Sequence, residues 1–343
     1  MNTFSKWSFG LLLGLAFAVS GTDVRCAEAT STTASNASTS EVSEAEAREI
    51  VIIFLDEARN KKILPISPRM KKLPDKLKLK EMFTFVRDPN PDVRDSVLAS
   101  ALFIAKEGDS ASVRSEAVEK LLRAAQAGLP VKLYRLKEVQ PASFSAVSQR
   151  LIYQIFQRNK THPTLVELIG LARVQAAKPE LQQFAAALEV VVQQKEEQGQ
   201  KKETQSESNI IEPDSQIYER SQLLQYWWAL SCLGDDDAAE KLVNYRKSHL
   251  EHSAFSEIAS TRHPIAIKAL MKFVFSDVQM LLDEEYQWTV ALSAAMALAE
   301  VVEGFPAPFF TDENGASIGS YDAYVEVARK WVREHGKSFK IKM

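Results

Sequence analysis

The sequence predicts an all-α protein of antiparallel helix pairs, on three observations. Apolar residues recur at helical offsets over most of the chain. Glycine and proline are sparse. The gaps between helical segments are short and hold capping residues. The 343 residues include 12 Gly and 13 Pro, few for the tight turns of an all-β chain. Hydrophobic residues are 45% and charged residues 25%, which excludes wholesale disorder and a collagen-like fibre. The net charge of −3 argues against polyanion binding by bulk charge.

Residues 1–29 predict a secretory signal peptide. Lys6 supplies a positive n-region, and Phe9 to Gly21 is an uncharged apolar run too short to span a bilayer comfortably. Ala27-Glu28-Ala29 has small residues placed for cleavage after Ala29, with Ala18-Val19-Ser20 as a second choice. Arg25 beside Cys26 spoils the context a lipoprotein signal needs. The expected product is exported, periplasmic or secreted, with no transmembrane anchor in the mature chain. Residues 30–42 are Thr, Ser, Ala and Asn as far as Ser40, with few apolar groups, and predict a flexible spacer.

Residues 43–192 predict a first helical region. Val93, Val97, Leu98, Ala101, Leu102 and Ala105 stand at offsets 0, 4, 5, 8, 9 and 12, one apolar stripe of a helix. Val113, Ala117, Val118, Leu121, Leu122 and Ala125 repeat those offsets. Val147, Leu151, Ile152, Ile155 and Phe156 repeat the first five. Residues 193–209 are polar throughout, and 193–215 predict an exposed helix end running into a loop, or a linker between halves. Residues 216–343 predict a second helical region, with the stripe at Leu224, at Ile265 and, complete, from Val290 to Val302. Lys76-Leu77-Lys78-Leu79-Lys80 is the main strand-like exception.

Helix starts are more specific. Asp88-Pro89-Asn90-Pro91-Asp92-Val93-Arg94 combines oxygens for orphan N–H groups with proline for a first turn. Asp109-Ser110 opens another helix, and Leu233-Gly234-Asp235-Asp236-Asp237 ends one at Gly and starts one at Asp. Thr161-His162-Pro163 and Arg262-His263-Pro264 mark two more.

The Asp88–Arg94 run, followed by Val97, Ala101 and Leu102, resembles a HEAT repeat. Ser112-Val113-Arg114 with Ala117 and Leu121 resembles it again. Leu233-Gly234-Asp235 through Leu242 is similar to the short HEAT-like repeats of phycobilisome lyases. The resemblance implies a HEAT/armadillo-like α-solenoid over about two thirds of the mature chain. It also implies a buried Asp–Arg ladder between neighbouring repeats, for which Asp92, Arg94, Asp109 and Arg114 are the matching residue types.

Catalytic, cofactor and metal sites are not expected. His249 and His252 are the one close histidine pair; on one helix they would share a face and could ligate a metal, but their spacing fits no zinc-protease pattern and they read as exposed helix-end histidines. Asp235-Asp236-Asp237 and Asp312-Glu313-Asn314-Gly315 lack the remaining ligands of a calcium loop and read as a capped helix start and a turn. No nucleophile elbow, P-loop or dinucleotide-binding glycine motif is present. Cys232 reads as a small buried apolar residue. Trp227, Trp228 and Trp288 read as core within helices.

One charge cluster stands apart. Arg59, Lys61, Lys62, Arg69, Lys71, Lys72, Lys76, Lys78 and Lys80 face a single acid, Asp75. The plain account is a solvated connector. The functional account is a docking patch for an acidic partner, with Arg69, Lys71, Lys72, Lys76, Lys78 and Lys80 as binding residues. The partner expected is a protein, with an acidic polymer or anionic surface as further possibilities through residues 59–80. The function expected is a non-enzymatic scaffold binding another macromolecule. A lyase-like enzyme on the same frame and a nucleic-acid-binding HEAT-like protein are the alternatives.

Overall fold

A computed structural model describes residues 42–60, 68–203, 214–283, 286–307, 310–311, 317–318 and 320–342. The expected signal peptide and nearly all of the expected spacer lie outside these residues, as do Lys61, Lys62 and the turn expected at Asp312–Gly315.

Most helices start where a side chain can accept an orphan backbone N–H. α1 (Glu44–Arg59) is capped by Ser43, whose hydroxyl accepts from Glu46 at 3.2 Å. α2 (Pro68–Lys72) and α3 (Asp75–Phe83) follow. α4 (Pro91–Glu107) is capped by Asn90, with Pro91 in its first turn, and α5 (Ala111–Gln126) by Ser110. Two short 3-10 turns lead to α6 (Ala146–Arg158), capped by Ser145. α7 (Pro163–Leu171), α8 (Lys178–Glu203) and α9 (Asp214–Cys232) come next. α10 (Asp236–Ser248) is capped by Asp235, and α11 (His252–Ser260) precedes α12 (Pro264–Phe273), capped by His263. A hairpin of β1 (Gln279–Asp283) and β2 (Tyr286–Thr289) leads to α13 (Val290–Val301), capped by Thr289. β3 (Phe310–Thr311) pairs antiparallel with β4 (Ser317–Ile318), and α14 (Tyr321–His335) starts at Ser320. The fold is all-α; strands among the described residues are confined to these hairpins and one isolated bridge.

Helices pack against near neighbours in the chain: α4 on α5, α5 on α6, α9 on α7, α8 and α10, and α13 on α11 and α12. One apolar cluster joins α1 to the segment leading into α4, through Val51, Leu55, Met70, Leu73 and Val93. A second runs from Leu79 to Ala238, and a third from Val243 to Ala328. The second crosses the polar stretch, since it holds Val192 of α8 and Leu223 of α9. α8 stays helical to Glu203 and α9 resumes at Asp214, so only 204–213 of that stretch lies outside the described residues. Full burial of a side chain such as Leu122, Ile152 or Phe156 contributes roughly 1.5–3 kcal/mol each.

Three expectations are corrected and one is sharpened. Lys76–Lys80 is helical, because Leu79 and Met82, three apart, both bury on one side of α3. Trp288 lies in β2, not in a helix. His249 ends α10 and His252 opens α11, the helix-end placement expected of them, and the break between the helices removes the shared face that a metal-binding pair would need. The Asp–Arg ladder is replaced by clamps on backbone oxygens. Arg94 Nη1 donates to the carbonyls of Asp88 at 2.8 Å and Pro89 at 2.9 Å, and Arg114 Nη1 donates to that of Gly108 at 2.7 Å.

Three inter-helix turns share a left-handed residue: Arg173 (φ 54°) before α8, Gly234 (φ 75°) before α10 and Arg262 (φ 53°) before α12. The turns are stitched together. Gln175 Nε2 donates to Leu233 O at 3.4 Å and Lys178 Nζ to Gly234 O at 3.3 Å. His263 Nε2 lies 3.2 Å from Asp236 Oδ1.

Candidate functional site

The basic segment folds into a platform. Pro68 suits the first turn of α2 because a helix leaves that N–H without a partner. Met70 and Leu73, three apart, are 2% and 3% exposed and fix this five-residue helix to the first apolar cluster. Arg69, Lys71 and Lys72 therefore point to solvent from an anchored element. Pro74 starts α3, whose first turn presents exposed Lys76.

Acids elsewhere in the fold neutralise part of the cluster. Arg59 pairs with Asp56 at 2.5 Å and Asp88 at 2.9 Å. Asp88 is held below the usual carboxylate range, chiefly by the Asn90 backbone N–H, with Arg59 assisting. Lys78 pairs with Asp75 at 2.7 Å, and both side chains are largely covered. Lys80 pairs with Glu44 at 2.6 Å, and that hydrogen bond raises the lysine's pKa. Arg69, Lys71, Lys72 and Lys76 form no ion pair with a described residue, and all four are exposed. The structure thus divides the six candidate residues into four unpaired cations and two paired ones. Asp75, inside the basic run, pairs Lys78, whereas Glu44, which pairs Lys80, lies outside the run and carries no local signal.

Other candidate chemistry is engaged in holding the fold. Asp235 caps α10 through Ala238 N–H at 3.0 Å and accepts from Gln182 at 2.7 Å. His249 stacks on Tyr245 with ring centroids 4.3 Å apart, its Nδ1 3.0 Å from the Tyr245 carbonyl. His335 repeats this on Trp331, at 4.9 Å and 3.2 Å. Cys232 is buried, and desolvation pushes its thiol up to about 12. Trp227 Nε1 donates to Glu189 at 2.8 Å and Trp228 Nε1 to Ser260 Oγ at 2.9 Å, tying α9 to α8 and α11.

A groove of about 280 Å³ runs between α8, α9 and α10, with Val192, Leu223, Trp227 and Tyr245 among its walls. Its four ionisable groups other than tyrosine are paired: Glu189 with Lys241 at 2.8 Å and Glu196 with Arg220 at 2.9 Å. Among the described residues no cluster of His, Cys, Asp and Glu is placed to hold a metal ion, and no helix is long and apolar enough to cross a membrane. The chain matches no protein-family model, no curated protein and no solved structure.

Proposed function

We propose that this chain is an exported helical-repeat scaffold of HEAT-like architecture, without catalysis of its own, that docks an acidic macromolecular partner on Arg69, Lys71, Lys72 and Lys76. Stacked helix pairs offer a long rigid surface, and such surfaces bind other macromolecules; this step is an analogy of fold. The observation that carries the reading is that these four cations form no ion pair with a described residue, three of them on the element held by Met70 and Leu73 and Lys76 at the start of α3. Anchoring limits the entropy lost when a partner orders them. A lyase-like enzyme would need ionisable groups free to act, whereas the groove between α8, α9 and α10 holds its charges in pairs.

The test measures the association rate of poly-L-glutamate with native protein and with the four residues changed to Gln, at rising salt. Native association is expected to slow with salt, since exposed charges are screened over about 8 Å at physiological ionic strength. The Gln variant is expected to associate more slowly, with a flatter salt slope and an unchanged melting temperature. Equal rates and slopes return the segment to a solvated connector. Export is tested by N-terminal sequencing: the mature chain is expected to begin between residues 20 and 30, and an exported protein starting at Met1 contradicts it.

A further inference from the structure

The three stitched turns carry an anomaly that packing does not explain. At a left-handed position glycine is free of strain, and a residue with a Cβ is disfavoured. The middle turn follows this rule with Gly234. The flanking turns break it, and both times the residue is arginine: Arg173 and Arg262. Each is half-buried, and neither side chain has a hydrogen-bond or ion-pair partner among the described residues. The acids nearby are already engaged. Asp235 is held by Lys178, Gln182 and the α10 N-terminus, Asp236 lies on His263, and Asp237 pairs with Lys241 at 2.9 Å.

We infer that these turns form a docking ridge for an extended acidic peptide, gripped at two points by the guanidinium groups of Arg173 and Arg262. The stitching contacts order the turns: the segment after Arg173 touches the Leu233–Gly234 turn and that after Arg262 touches Asp236, while α7 and α8 pack on α9, and α10 packs on α12. The positive fields of both reach the Cys232 thiol at the end of α9, just before the middle turn, which places both charges near that turn. Neighbouring helices pack roughly 8–10 Å apart, so the outer turns are separated by roughly 16–20 Å. A single phosphate or carboxylate is too small to bridge that gap. An extended chain advancing about 3.3 Å per residue spans it in about six residues.

The charge order along the ridge selects the ligand further. Arg173 and Arg262 stand outside, while Asp236 and Asp237, with side chains 83% and 75% exposed, stand near the centre. A nucleic acid would lay continuous negative charge across those carboxylates. A peptide with acidic ends and a neutral middle would not. A Cβ built on Gly234 meets nothing within 4 Å, so the ridge is open at its centre for a crossing backbone. Arginine suits the ends because its planar fork grips a carboxylate at two points.

The probe is a blocked peptide of about seven residues with Asp at both ends and Gly, Ser and Ala between, carrying a neutral dye and titrated by fluorescence anisotropy. Native protein is expected to bind it, and the same peptide ending in Asn is expected to bind at least about tenfold more weakly. Arg173→Gly with Arg262→Gly is expected to weaken binding by at least about tenfold while melting no earlier, because glycine favours both backbone positions. Arg→Lys at both sites, which keeps the charge without the fork, should fall between. Lys71→Gln, Lys72→Gln and Lys76→Gln should leave this binding in place. Four results overturn the proposal: no binding by native protein, undiminished binding by the double glycine variant, loss of binding in the lysine variants instead, or earlier melting of the glycine variant, which would make the arginines struts of the turns.

Discussion

Gly170 of α7 faces the indole of Trp228 on α9 with no room for a methyl group between them. A Cβ at residue 170 would come within 2.7 Å of Trp228 Cζ3 and 3.0 Å of Ala229 Cα. The backbone of Ala229 cannot swing away, and Trp228 is held by its bond to Ser260. Gly170→Ala is therefore expected to destabilise the protein by about 1–3 kcal/mol, although alanine is the better helix former. Chemical denaturation reads this directly, and an unchanged or raised midpoint would show that α7 and α9 are not in close contact.

His263 makes stability depend on mild acid. Its ring is 5% exposed, and its Nδ1 accepts from Ile265 N–H at 3.3 Å. Burial lowers its pKa from 6.5, with Lys178 adding to the effect, while Asp236 and Asp235 oppose it. The fold thus prefers the neutral ring. Its contribution is present above about pH 6.5 and is lost as pH falls from there through the depressed folded value. The melting temperatures of native protein and His263→Asn should converge as pH drops from about 7.5 to 5. A constant gap over that window would rule out this linkage.

Arg94 and Arg114 are expected to act alike. Each holds carbonyl oxygen at the turn before its own helix, through a hydrogen bond from a charged donor. Changing either to Ala should cost about 1.5–3 kcal/mol, read as a lowered urea midpoint with unchanged slope. A loss under about 0.5 kcal/mol would make the clamps incidental.

Cys232 is expected to be inert in the folded chain. With its thiol pushed up to about 12, roughly one part in ten thousand is thiolate at pH 8. A thiol reagent applied to protein cleaved after Ala29 should label Cys232 only on unfolding. Rapid labelling of folded protein would mean that the end of α9 opens.

The helix starts were legible because capping is local: Asn90, Ser110 and Asp235 accept from N–H groups two or three residues ahead. What depended on distant residues was not. The basic run was plain in sequence, and so was Asp75 within it, yet Arg59 and Lys80 are paired by Asp56, Asp88 and Glu44 from beyond it. The helix break between His249 and His252 left no strong breaker in the sequence. The arginines at 173 and 262 stayed hidden because the usual signal for a left-handed turn is glycine, and there the chain does without it.

The clamps on α4 and α5 also bear on how the chain reaches its fold. Arg94 and Arg114 each hold a carbonyl six residues back, so little loop entropy opposes their formation. The α4–α5 pair, with a cap and a clamp on each helix, can assemble before contacts distant in sequence form, as low contact order favours. We expect it to act as a folding nucleus, so that Arg94→Ala slows refolding more than it speeds unfolding in a chevron measurement. The reverse partition would place the nucleus elsewhere.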